Sequence, residues 1–195
     1  MTDKPPFSAD QLFHVYNHAN GGELLFQKEY NYRYFMLLFQ KHMEPVVNLA
    51  AFCLMPNHFH FLVKTRTLEE IKNVAKIQDL ILEDVPEFVS KQWSNYFNAY
   101  AKAFNRMYHR RGSLFERGVK RKIANDLEYA QEIVRYIHLN PVKDRFCETP
   151  DEWKHSSYTE IINQEFRNVD EGLLWEIFPE MEEFVIIHKR KPVRS

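Results

Sequence analysis

The residues best suited to chemistry in this chain are two histidines, His58 and His60, in the apolar stretch "LMPNHFHFLV". Because side chains on a β-strand alternate between its two faces, both imidazoles project to one side and Phe59 projects to the other. Two imidazoles one strand repeat apart can grip a single metal ion. A His-x-His pair can also be an exposed surface pair without a function, or a hydrogen-bonded core pair. Whether the pair is a metal site therefore depends on partners elsewhere in the chain.

A partner is found in "EYAQEIVRYIHLNPV", a stretch with helical spacing. Tyr136 and Asn140 are four residues apart and therefore share one helical face. The amide oxygen of Asn140 could complete a set of two imidazoles and one oxygen, which favours Mg²⁺ or Mn²⁺ over structural zinc. Two plainer interpretations stay open: Asn140 as a cap at the helix end before Pro141, and Tyr136 as an ordinary core aromatic.

Charge is concentrated in one segment, although the formal net charge is only -1. Between Lys102 and Lys122 there are eight basic residues and the single acid Glu116, which gives a local charge of about +7. Such a block indicates a localised site for a polyanion, with a solvated basic face as the alternative. Its basic residues are Lys102, Arg106, Arg110, Arg111, Arg117, Lys120, Arg121 and Lys122.

The composition predicts a single intracellular domain spanning 1–195. With 195 residues, 45% of them hydrophobic and 15% aromatic, the chain can bury one sizeable core. Cys53 and Cys147 form no CxxC motif, which argues against a disulfide scaffold or a cysteine-based zinc finger. The sequence contains no long apolar run, no secretory signal, no GxSxG and no HExxH, so the commonest alternative enzymes are excluded.

The elements that must position these residues follow from hydrophobic periodicity and from turn residues. Alternating apolar residues predict strands, the "NGG" turn ends the first of them, and Asn125 or Asp126 can cap the helix that carries Tyr136 until Pro141 stops it. The remainder from "DEWKHSSYTEII", which begins at Asp151, is expected to be a short helical or irregular extension with a basic end, "HKRKPVR". The predicted strands are 12–19, 46–54, 58–65 and 119–123. The predicted helices are 28–43, 68–82, 93–108 and 127–140, with a break around Pro86 between the second and the third.

Four ordered blocks between about 13 and 158 resemble the single-tyrosine HUH transposases, in particular their REP-associated tyrosine transposase branch. The blocks are "HVYNHANGGELLF", "FCLMPNHFHFLV", "NRMYHRRGSLFERGVKRK" and "YIHLNPVKDR" with "WKHSSY". The resemblance implies a metal motif at His58 and His60, a nucleophile at Tyr136 and a third metal ligand at Asn140. It also implies an α+β, ferredoxin-like or RRM-like antiparallel sheet with helices packed on it. In addition to what the resemblance implies, we expect a helical insertion and a C-terminal extension over about 159–195.

The activity implied by the resemblance is cleavage and rejoining of single-stranded DNA through a 5′-phosphotyrosine, with Mg²⁺ or Mn²⁺ as cofactor. The DNA partner is expected to carry a hairpin, and the protein is expected to be a cytoplasmic monomer or homodimer that joins the nucleoid when bound to DNA. Tyr108 or Phe115 could stack on bases, although Phe115 is better explained as a core residue. The expected backbone contacts come from Arg106, Arg110, Arg111, Arg117, Lys120 and Arg121.

Alternatives to this activity remain. The chain could be a non-catalytic hairpin-binding protein derived from a transposase, or a small metal hydrolase that uses His58 and His60 with a metal-bound water. Tyr129, two turns before Tyr136 on nearly the same face, is the rival nucleophile, but no oxygen ligand follows it one turn later. His14, His109 and His138 receive no assigned role. The longer helical segment over about 67–100 and the extension beyond 158 leave the DNA specificity and the assembly state open.

Overall fold

In the computed structural model, which describes residues 4–190, one four-stranded antiparallel sheet organises the chain. The strand order is β2-β3-β1-β4, and the chain runs strand, helix, strand, strand, helices, strand, as in a ferredoxin-like fold. The prediction of an α+β fold with helices packed on an antiparallel sheet is therefore confirmed. The strands are β1 Leu12–His18, β2 Val47–Met55, β3 His58–Thr65 and β4 Lys120–Ile123.

Seven helices are found within residues 4–190, together with short 3₁₀ segments at Asn20–Gly22, Leu82–Asp84 and Pro150–Glu152. The last three helices make up the extension that was predicted to be short helices or irregular chain. No helix in this part of the chain is both long and apolar enough to cross a membrane. The helices are α1 Glu29–His42, α2 Leu68–Ala75, α3 Val85–Met107, α4 Leu127–Lys143, α5 Tyr158–Ile162, α6 Glu171–Ile177 and α7 Met181–Lys189.

Aromatic packing determines which face of β3 is covered by α1 and α3. Phe59 lies 5.2 Å from Phe35 of α1, and Phe61 lies 6.3 Å from Trp93 of α3, measured between ring centroids. All four side chains are fully buried. Burying a large aromatic side chain stabilises the fold by a few kcal/mol, roughly 3 for a phenylalanine. The packing therefore strongly favours the orientation of β3 in which Phe59 and Phe61 face α1 and α3. The alternation along β3 then sends His58 and His60 to the opposite face.

The opposite face is covered mainly by α4, which packs across β2 and β3. Asp126 caps α4 as predicted, since its Oδ1 accepts from the backbone N–H of Tyr129 at 2.8 Å. The expectation that Pro141 ends this helix is wrong, because α4 continues to Lys143 with the proline inside it. Only the final turn follows the proline, so the missing N–H disturbs little of the helix. Asn140 is therefore a residue of the helix and not its cap.

Two further boundaries differ from the sequence prediction. The helix expected over 68–82 ends at Ala75, because Lys76 adopts a left-handed conformation with φ of 58°. Pro86 does not interrupt a helix but lies in the first turn of α3, where its missing N–H costs no helical hydrogen bond. Residues 191–195 of the predicted basic end lie outside the described residues.

Candidate functional site

Histidines from two adjacent strands share the sheet face that is covered by α4. Tyr16 of β1 is paired with His60 of β3, and His18 is paired with His58. His14, two residues before Tyr16, projects to the same face. Its ring lies 5.1 Å from that of His60, and the rings of His18 and His58 stack at 4.8 Å. The histidines of β1 had no predicted role, although their His-x-Tyr-x-His spacing repeats the alternation of the pair on β3.

His58 and His60 each use one ring nitrogen in a hydrogen bond within the protein. Nδ1 of His58 lies 2.8 Å from Oδ1 of Asn57, and Nδ1 of His60 lies 3.0 Å from Nε2 of His14. Burial lowers the pKa of His58 to about 4, and burial together with the neighbouring His14 lowers the pKa of His60 to about 2. Both imidazoles are thus neutral at pH 7, which is the form that binds metal ions.

The side chain of Tyr136 faces a cavity beside His14 and His60. Its ring stands edge-on to His60 at 5.4 Å and to His14 at 5.9 Å, in a cavity of about 1030 Å³ that both histidines also line. The side chain is 40% exposed, so the interpretation of Tyr136 as an ordinary core aromatic is wrong. Partial burial and, to a smaller extent, Asp144 raise the pKa of the phenol, whereas Asn140 acts in the opposite direction. Without further help the phenol is a weak nucleophile.

Asn140 is buried one helical turn after Tyr136. Its amide Nδ2 donates to the backbone carbonyl of Tyr136 at 2.7 Å, which orients the side chain and leaves Oδ1 as an acceptor. Lys143 contributes to the lowered pKa of His60, and Asp144 partly offsets the lowering at His58. The C-terminal end of α4 lies near His60, since Lys143 and His60 line the same cavity.

The donor set suits a hard divalent cation. Within residues 4–190, Nε2 of His58 and Nε2 of His60 have no hydrogen-bond partner, and the same is true of Oδ1 of Asn140. Two neutral imidazoles and one amide oxygen leave positions for water and phosphate oxygens around Mg²⁺ or Mn²⁺. Among the described residues, no group of three or more His, Cys, Asp or Glu side chains is arranged to hold a metal. A cation site built on His58 and His60 would therefore need a further ligand, and the amide oxygen of Asn140 is the candidate.

Two lysines outside the predicted site residues also line the cavity. Nζ of Lys143 lies 5.6 Å from the centroid of the Tyr136 ring. Lys122 of β4 is paired with His14, lines the same cavity and lowers the pKa of the phenol. Both are exposed. Two positive charges from different elements therefore lie beside the Tyr136 ring, and they could attract a phosphate group.

The rival nucleophile Tyr129 lines the same cavity and is 41% exposed. Its ring is not among the aromatic neighbours of His14 and His60 in the described chain, whereas Tyr136 contacts both. Position relative to the imidazoles thus favours Tyr136.

In the basic block between Lys102 and Lys122, some side chains have partners within the protein and others are exposed. Arg110 forms a bidentate ion pair with Glu23, and the Arg121 guanidinium lies 4.1 Å from the centroid of the Phe7 ring. Lys120 is paired with Glu116. These three side chains stabilise the fold locally, and a DNA phosphate would have to compete with their partners. The exposed members of the predicted DNA-binding set are Arg106, Arg111 and Arg117.

The remaining predicted residues lie away from this cavity. Phe115 is 7% exposed and belongs to the core, as expected. The hydroxyl of Tyr108 donates to Oδ1 of Asn31 at 2.8 Å. His138 is fully buried on the opposite side of α4 from Tyr136, and its two ring nitrogens contact His188 and Ser157.

No protein-family model and no curated protein sequence matches the chain. Among solved structures, a REP-associated tyrosine transposase bound to a REP hairpin is similar, with a TM-score of 0.61. The alignment covers 85% of this chain and 86% of that chain at 14% sequence identity. At this identity the likeness shows a shared fold.

Proposed function

We propose that the protein is a metal-dependent transesterase that cleaves and rejoins single-stranded DNA through a 5′-phosphotyrosine at Tyr136. The observation that carries the proposal is the position of the Tyr136 phenol, half-exposed in a cavity and edge-on to His60 at 5.4 Å. A tyrosine beside neutral histidines, an amide oxygen and two lysines has the groups that phosphoryl transfer needs. The shared fold with a hairpin-bound tyrosine transposase supports the same class of activity.

His58, His60 and Asn140 would hold Mg²⁺ or Mn²⁺, and the bound ion would polarise the scissile phosphate and neutralise its charge. The Tyr136 oxygen attacks phosphorus in line with the leaving 3′ oxygen. A phosphorus–oxygen bond to tyrosine forms, the bond to the 3′ oxygen breaks, and the proton lost by the phenol is balanced by the proton gained on the 3′-hydroxyl. The bond energy is retained, so a 3′-hydroxyl can reverse the reaction and join strands without ATP.

Two lysines would add positive charge beside the reacting groups. Lys143 and Lys122 approach Tyr136 from α4 and β4 and would contact nonbridging phosphate oxygens or stabilise the developing phenolate. The exposed arginines Arg106, Arg111 and Arg117 would hold the DNA backbone. The proposed substrate is single-stranded DNA with an adjacent hairpin, because a phosphate inside a duplex could not readily reach a hydroxyl seated between a sheet and a helix.

Covalent trapping tests the proposal. Single-stranded DNA from around the gene of this protein, containing a hairpin and labelled at its 3′ end, is incubated with Mn²⁺ or with EDTA and run on a denaturing gel. A 5′-phosphotyrosine keeps the 3′-labelled product on the protein, so we expect a slow band with Mn²⁺ that EDTA removes. Tyr136→Phe should abolish this band, and Tyr129→Phe is the matched control that should keep it.

The other outcomes identify the alternatives. A hairpin complex on a native gel, with no covalent band under any metal condition, would indicate a DNA-binding protein without nuclease activity. Cleavage that persists in Tyr136→Phe and yields protein-free products would indicate a metal hydrolase. A covalent band that is lost in Tyr129→Phe and kept in Tyr136→Phe would move the nucleophile to the rival tyrosine.

A further inference from the structure

The imidazole of His14 is the buried polar group closest to the proposed site that has no role in the chemistry described above. It lies on β1 and is 7% exposed. Its Nε2 is 3.0 Å from Nδ1 of His60, and the two rings lie at 28° to one another. His14 is opposite Leu62 in the sheet, so it meets His60 diagonally, at a spacing that side chains of this length can span.

A hydrogen bond between two neutral imidazoles requires one donor and one acceptor. If Nδ1 of His60 carries the proton, the lone pair of its Nε2 is available to a cation, and Nε2 of His14 accepts. If His14 donates instead, the proton of His60 is on Nε2, and a metal ion cannot bind there. The state of this one hydrogen bond therefore decides whether His60 can act as a ligand through Nε2.

The hydrogen bond of His58 indicates which tautomer of His60 would allow both imidazoles to bind one cation. Nδ1 of His58 faces Oδ1 of Asn57 at 2.8 Å, and an amide oxygen can only accept. His58 must therefore be protonated on Nδ1 and leaves its Nε2 lone pair available. For both imidazoles to bind one cation through equivalent nitrogens, His60 must adopt the same tautomer.

We propose that His14 is a positioning residue, which accepts a hydrogen bond from Nδ1 of His60 and so holds His60 in the tautomer whose Nε2 can bind the cation. The cation itself rests on the proposed function, but the tautomer does not. Removing the hydrogen-bond partner of a metal-binding histidine commonly lowers the metal affinity by about 10-fold to 100-fold. His14 itself then carries its proton on Nδ1.

The edge-on contact with Tyr136 gives His14 a second positional effect. The His14 and Tyr136 rings lie 5.9 Å apart, and Tyr136 also contacts His60. Through this packing, His14 fixes the distance between the proposed nucleophile and the nearer ligand. A substitution that keeps the acceptor but loses the ring should therefore retain the metal affinity better than it retains the rate of adduct formation.

The test begins with the metal-free protein. Histidine-selective ¹⁵N labelling and long-range ¹H–¹⁵N spectra assign the protonated nitrogen of each ring. We expect His60 to be protonated on Nδ1 only. In His14→Phe the His60 resonances should show both tautomers, and the affinity for Mn²⁺, measured by electron paramagnetic resonance, should fall about 10-fold to 100-fold. His14→Gln supplies an acceptor oxygen and should recover most of the affinity.

The control is His155→Phe, which removes a different largely buried imidazole, stacked on Tyr32 at 3.6 Å, and should leave the His60 tautomer and the Mn²⁺ affinity unchanged. Protonation of His60 on Nε2 in the wild-type protein would overturn the inference. So would a Zn²⁺ titration that shifts Nε2 of His14 together with Nδ1 of His60, because the two rings would then be joint ligands. If His14→Phe does not fold, the wild-type spectrum and His14→Gln still decide.

The same measurements separate this inference from the proposed function. A protein with the expected His60 tautomer and His14-dependent Mn²⁺ affinity, but without a covalent DNA adduct, would keep the positioning role of His14 and lose the transesterase. A protein that forms the adduct while His14→Phe leaves both tautomer and affinity unchanged would keep the transesterase and lose the positioning role.

Discussion

At the scale of single residues, the candidate site combines neighbours within one element with side chains from other strands. His58 and His60 are one strand repeat apart and share a face of β3, and Tyr136 and Asn140 are one helical turn apart on α4. His14 and Lys122 reach the same cavity from other strands. Their contribution depends on sheet register, and no local pattern in the sequence specifies register between distant strands.

Substitution of Asn140 tests the oxygen ligand. Asn140→Ala should raise the Mn²⁺ concentration needed for half-maximal covalent adduct by about 10-fold or more, because one of the three proposed protein ligands would be lost. Asn140→Asp keeps an oxygen and should need less Mn²⁺ than Asn140→Ala. Adduct yield on a denaturing gel across a Mn²⁺ series measures both. Equal metal dependence of Asn140→Ala and the wild-type protein would exclude Asn140 as a ligand.

At the scale of elements, strands and amphipathic helices were predictable and helix ends were less so. The ends of α2 and α4 differ from prediction because Lys76 adopts a left-handed conformation in one and Pro141 is accommodated in the other. The loop between α3 and β4 illustrates a different limit. Its arginines look alike in the sequence, yet Arg110 is paired with Glu23, 87 residues away, and Arg111 is exposed.

This difference within the loop predicts different effects on DNA binding. Arg111→Ala should weaken binding of a hairpin oligonucleotide and reduce the slope of log affinity against log salt by about 0.7 for one lost phosphate contact. Arg110→Ala should leave the slope nearly unchanged, because its guanidinium already neutralises Glu23, and should instead lower the thermal stability. Fluorescence anisotropy from 50 to 300 mM salt, roughly the range in which such contacts are screened, compares the two variants. A larger slope change for Arg110→Ala would contradict the assignment.

At the scale of the whole molecule, buried neutral histidines connect the helices to one another and to the sheet. Ser157, His138 and His188 form a chain of hydrogen bonds from the loop beside β2 through α4 to α7. Burial lowers the pKa of His138 well below its usual value and lowers that of His188 to about 4. The sequence showed only isolated histidines here, since the partners are 19 and 50 residues apart.

These histidines should make the fold sensitive to acid. An unfolded histidine binds a proton as the pH falls below about 6.5, whereas the folded protein leaves His188 neutral until about pH 4. The contribution of these histidines to the free energy of unfolding is therefore fully present above about pH 6.5. It should fall by about 1.4 kcal/mol per pH unit for each such group as the pH decreases from there toward the pKa of the folded state. Urea unfolding at pH 7.5, 6.5 and 5.5 measures the slope, and His188→Gln should make it shallower. A free energy of unfolding that does not change over this range would contradict the expectation.

The sheet whose one face carries phenylalanines and whose other face carries histidines has a consequence for how this chain can vary in length. Successive side chains of a strand alternate between its two faces, so inserting or deleting a single residue at the start of β3 would exchange the side chains of the two faces. The rings of Phe59 and Phe61 would then face α4, and the imidazoles would enter the hydrophobic core. A change of two residues preserves the phase. A change of one residue within β3 should therefore strongly destabilise the fold, and a change of two residues should be better tolerated.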